Sequence, residues 1–108
     1  MKSIHLKCED HQYVVPVGSL DYESGYWTIP VMDAQAILNG MIYLHQKKNE
    51  PSYFGGLVKS YRIEENIESE YVGRIVFLLE SRKEGKGKKW RGKKHRMSYY
   101  SGIVDESE

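Results

Sequence analysis

The sequence has one cysteine, Cys8, only three prolines and two phenylalanines, and no apolar run longer than Ile75 to Leu79. A single cysteine excludes an internal disulfide, and without a Cys-x-x-Cys pair there is neither a zinc ribbon nor a dithiol redox motif. The run of about 20 apolar residues that a membrane-spanning helix needs is missing, and Met1-Lys2-Ser3-Ile4-His5 lacks the apolar stretch of a signal peptide. The expectation is a cytoplasmic protein with no membrane partner. An excess of charge is missing too: 16 Lys+Arg stand against 15 Asp+Glu, for a net +1. What remains is 108 residues, 40% hydrophobic and 12% aromatic, which fits one domain over 1–108 and excludes a multidomain enzyme.

The near-neutral total conceals a polarised distribution. Residues 82–96 hold nine Lys or Arg and one acid, Glu84, whereas the remainder holds seven bases and fourteen acids. Acids gather at Glu64, Glu65, Glu68 and Glu70, and again at Asp105, Glu106 and Glu108. Separation of this kind can orient a molecule toward a polyanion even when the net charge is close to zero.

Hydrophobic periodicity predicts mostly strands. Tyr13, Val15 and Val17 alternate over 11–17, with Pro16 suggesting a sheet edge, and Gly18-Ser19 ends the run. Residues 21–27 are polar, broken by Gly25 and aromatic, and are read as a loop. Ala34, Ile37, Leu38 and Met41 fall on one helical stripe, with Asp33 near its start and Asn39-Gly40 as its stop. Strands are predicted over 41–45, with Ile42 and Leu44 facing one way and Tyr43 and His45 the other, and over 57–63 after Gly55-Gly56. Residues 74–80 are apolar on both faces, as in a central strand, and 97–104 alternate again. The prediction is an α+β domain: a small, partly closed β-barrel of five to six mostly antiparallel strands, with one main helix over an opening.

The order of helix, Gly40, strand Ile42-Tyr43-Leu44-His45, polar loop, Gly55-Gly56 and Val58 resembles the PUA-like superfamily, especially its EVE and ASCH branches. The resemblance covers about residues 13–80, and Met41 stands where those families often carry an acid. It implies a small barrel that binds RNA, or a modified base in DNA, in a cleft beside the helix. No catalytic residue carries over with it.

The basic segment 82–96 is the main functional signal. Lys86, Lys88, Lys89, Arg91, Lys93, Lys94 and Arg96 are suited to phosphates, and Trp90 offers a flat face to a base. Gly85, Gly87 and Gly92 are read as keeping this loop flexible. A base pocket is expected from Tyr22, Tyr26, Trp27 and Tyr53, although Trp27 in a small domain is more readily a core residue. His5-x-x-Cys8-x-x-His11 contains residue types that zinc accepts, but positions three apart on an extended strand face opposite ways. No metal and no cofactor are therefore expected, and Cys8 is read as a small buried apolar residue. The clustered glutamates look solvated, and Gly85-x-Gly87 lacks the context of a phosphate-binding loop, so no catalytic group is assigned. The sequence thus predicts a non-catalytic domain that binds RNA or DNA. The competing readings are a protein-interaction module docking on an acidic partner and a small-molecule pocket at the barrel mouth.

Overall fold

The computed structural model describes residues 1–9, 13–92 and 99–105. Seven strands form one sheet in the order β2-β3-β6-β5-β4-β1-β7, where β1 is Lys2–Lys7, β2 Val14–Pro16, β3 Asp21–Trp27, β4 Met41–His45, β5 Phe54–Ile63, β6 Ile75–Ser81 and β7 Val104–Asp105. The sheet is mixed: β1 runs parallel to β4, and every other pairing is antiparallel. Its edges, β2 and β7, do not pair with each other, so the sheet is open.

This corrects the expected partly closed barrel with a main helix. The helix α1 is only Val31–Ala36. The stripe that predicted a longer one is cut at Asn39, which has φ 66°, and at Gly40, where a Cβ would lie 2.4 Å from the Lys2 carbonyl oxygen. The chain therefore turns into β4 before the stripe ends. Ala34 and Ile37 are buried, Leu38 is exposed and Met41 belongs to the strand. Two strands were hidden in the sequence: β1, whose polar residues alternate with Ile4 and Leu6, and β3, read as a loop because of its polar residues and Gly25. β3 instead pairs on both sides, with a bulge between Ser24 and Trp27.

The parallel register sets Ile4 beside Ile42, His5 beside Tyr43 and Leu6 beside Leu44. Since side chains alternate along a strand, this creates two faces of different chemistry. Ile4, Leu6, Ile42, Leu44, Val58, Phe77 and Leu79 build the apolar core on one face, closed by Ala34 and Ile37. Each such side chain contributes about 1.5–3 kcal/mol on burial. On the other face His5, Tyr43 and His45 are equally inaccessible to solvent, because the segment after β6 crosses over them. No helix among the described residues is long and apolar enough to cross a membrane.

Candidate nucleic-acid interface

The crossing segment is fastened at Ser52. The Ser52 hydroxyl donates to the Gly85 carbonyl at 2.7 Å and accepts from the Lys88 amide at 3.0 Å. The Ser52 amide donates to the Lys88 carbonyl, and the Gly87 amide donates to the Ser52 carbonyl, both at 2.8 Å. Gly85, at the end of a single 3-10 turn over Lys83–Gly85, rests on Gly55: a Cβ on Gly85 would lie 2.4–2.5 Å from the Gly55 backbone. Glycine at these two positions thus permits backbone contact, and Gly87 and Gly92 hold φ of +82° and +93°. Within residues 82–92 the glycines permit this path.

Fixing that path buries Trp90. Its ring centroid lies 5.1 Å from that of His45 and 5.7 Å from that of His5, and Tyr43 packs on His5 at 5.0 Å. Trp90 is 5% exposed, so it holds down the imidazoles rather than presenting a free face for stacking. Part of it still borders a cavity of about 420 Å³ with Lys48, Asn49, Glu50, Pro51 and Lys89. A second cavity, of about 300 Å³, is lined by His5, Lys88, Lys89 and Arg91. Lys89 belongs to both.

The hydrogen bonds determine the proton positions on the two imidazoles. His45 Nδ1 lies 2.9 Å from the Glu50 carbonyl oxygen, which can only accept, so His45 Nδ1 carries the proton. In neutral His45 the Nε2 is then an acceptor. Its neighbour, His5 Nδ1 at 2.8 Å, must be the donor. His5 Nε2 consequently carries a bare lone pair. It is buried and has no hydrogen-bond partner among the described residues. Burial first, then the positive fields of His45 and Arg91, lower the His5 pKa to about 3, and burial also lowers that of His45 against the opposing effect of the Glu50 carbonyl. Both rings are therefore neutral near pH 7.

The other sequence candidates scatter. Lys86, Lys88, Lys89 and Arg91 are exposed, and none forms an ion pair among the described residues. Lys93, Lys94 and Arg96 lie outside the described residues, as does His11. Tyr26 and Trp27 border a separate cavity of about 300 Å³ with Lys7, Thr28, Arg74 and Tyr99. Trp27 is buried, donating to the Ser24 hydroxyl at 3.0 Å and stacking on Tyr99, whereas Tyr26 stacks on Tyr71. Tyr22 meets Phe54 edge-on, and Tyr53 donates to the Cys8 carbonyl. The four aromatics thus do not form one pocket. Cys8 is buried in the apolar core, and no group of three potential metal ligands occurs among the described residues.

Sequence reasoning weighed His5 only as a metal ligand, placed His45 on a strand face without a role, and gave none to Ser52. The available signal was the alternation of Tyr43 and His45 with Ile42 and Leu44, which gave their common face but not the Trp90 segment covering it. No family model matches the chain, and neither a curated protein nor a solved structure matches it.

Proposed function

We propose that this chain is a non-catalytic nucleic-acid-binding domain whose phosphate contacts are Lys86, Lys88, Lys89 and Arg91. The observation that supports it most is that none of these four cations, on a segment fastened to the sheet, forms an ion pair among the described residues. The described ion pairs use Lys7, Lys59, Arg62 and Arg82 instead. Cations without internal partners hold counterions that a polyphosphate can displace, and a fixed path spares part of the ordering cost of binding. The cavities bordered by Trp90 and by His5 give the strip a concave surface in which a nucleotide can sit.

The test is titration of a labelled single-stranded oligonucleotide, followed by fluorescence anisotropy between 50 and 200 mM salt. Four contacts predict a slope of log affinity against log salt of about −3 on a single strand. Replacing Lys88, Lys89 and Arg91 by alanine should reduce that slope by about 2 and leave the thermal midpoint nearly unchanged, since all three side chains are exposed. A slope near zero in the wild-type protein refutes the proposal.

A further inference from the structure

The cavity bordered by Lys7, Tyr26, Trp27, Thr28, Arg74 and Tyr99 contains none of the four strip cations, yet it repeats the chemistry of the strip: two cations beside aromatic rings, with no acid among the lining residues. Arg74 is exposed and forms no ion pair among the described residues. Lys7 pairs with Glu9 at 3.1 Å, but the two side chains are 40% and 59% exposed. A solvated pair of this kind is worth at most about 1 kcal/mol, so a phosphate can take the place of the carboxylate. Tyr99 is 37% exposed. Its hydroxyl donates to the Thr28 carbonyl at 2.9 Å and its ring stacks on Trp27 with centroids 5.9 Å apart, so the ring is held in place before a ligand arrives.

β1 joins this cavity to the strip. His5 borders the cavity of Lys88, Lys89 and Arg91, and Lys7, two residues further along on the same face of β1, borders this one. Two residues of strand span about 7 Å, a length that one nucleotide of an extended single strand can cover. The neighbouring segment keeps the same order. The Ser101 amide donates to the His5 carbonyl at 3.0 Å, and the Lys7 amide donates to the Tyr99 carbonyl at 2.9 Å. Gly92 lies against Ser101, where a Cβ would be 2.5 Å from the Ser101 carbonyl oxygen. The strip, β1 and Tyr99 thus form one continuous surface.

From this arrangement, and resting on the nucleic-acid reading above, we infer that the second cavity is a further nucleotide site, in which a single strand leaving the strip sets its next phosphate on Lys7 and Arg74 and one unpaired base on the ring of Tyr99. A base must be free of a partner strand to reach that ring, so the occupant is single-stranded. Stacking accepts any base, since each has a π face, and no sequence is read here. Because Trp27 and the Thr28 carbonyl already fix Tyr99, the ring loses little freedom on binding.

The experiment follows the anisotropy of a labelled oligouridylate and a labelled oligothymidylate, each of a dozen residues, between 50 and 200 mM salt, with the slope read on the tighter binder. The four strip cations alone give a slope of log affinity against log salt of about −3, and the addition of Lys7 and Arg74 makes it about −4. Lys7→Ala combined with Arg74→Ala should return the slope to about −3. Tyr99→Leu should weaken binding about tenfold at an unchanged slope, whereas Tyr99→Phe, which keeps the ring, should bind like the wild-type protein. A wild-type slope near −3 that the double variant leaves unchanged overturns this inference and leaves the strip standing, and so does full affinity in a folded Tyr99→Leu protein. A slope near zero with both strands overturns both readings. If Tyr99→Leu does not fold, the double variant still decides the matter, since the side chains it removes reach solvent.

Discussion

Mild acid should destabilise this fold selectively through His5. In the unfolded chain an imidazole titrates near pH 6.5, whereas folded His5 takes up its proton only near pH 3. A base whose folded pKa is depressed costs nothing while both states are neutral, so at pH 7.5 the effect is nearly absent. Below about pH 6.5 the unfolded chain binds a proton that the folded chain refuses, and the free energy of unfolding falls by about 1.4 kcal/mol per pH unit until about pH 3. At pH 5.0 the loss from His5 alone is about 2 kcal/mol, and His45, lowered in the same direction, adds to it. In a domain of about 100 residues that amounts to a fall of roughly 10 °C in the thermal midpoint. Carboxylates elsewhere titrate as well, so the informative quantity is the difference between the wild-type protein and His5→Asn. Calorimetry at pH 7.5 and 5.0 should show the wild-type midpoint falling about 10 °C further than that of the variant. Equal falls in the two proteins would refute the assignment of His5 as a buried neutral acceptor.

Trp90→Ala should cost about 3–5 kcal/mol in chemical denaturation, because the indole covers both imidazoles; a loss below 1 kcal/mol would show that it is peripheral. Ser52→Ala strands the Gly85 carbonyl and the Lys88 amide, and should lower stability by about 2–3 kcal/mol, with amide exchange faster over residues 85–90 than over β6. Gly85→Ala should destabilise by at least about 1–3 kcal/mol, since its methyl group would meet the Gly55 backbone; a neutral result on urea unfolding would contradict the contact.

Where burial followed the simplest periodicity, the sequence was a good guide. β4 has the two faces expected from Ile42 and Leu44 against Tyr43 and His45, and β6 lies between β3 and β5 as its doubly apolar pattern implied. β1 escaped notice because alternation of Ile4 and Leu6 with Ser3, His5 and Lys7 looks like a strand end facing water. Ser3 and His5 are nevertheless buried. For His5 the cause lies in a distant part of the chain, where an indole set among lysines and glycines closes over it. Local composition made Trp90 look exposed, and only the contacts made by Ser52, Gly55 and Gly85 bring it down onto the sheet. The barrel expectation failed for a related reason: strand pairing is set by long-range contacts that no window of the sequence contains.

The placement of β1 has a consequence for assembly. It sits between β4 and β7, so Ser3 finds Met41 on one side and Val104 on the other. During synthesis this strand leaves the ribosome before either neighbour exists, and links so distant in sequence are slow to form. Until they do, the imidazole of His5 has neither His45 to bond nor Trp90 to pack against it. The buried pair of imidazoles is therefore acquired late, as a property of the finished molecule.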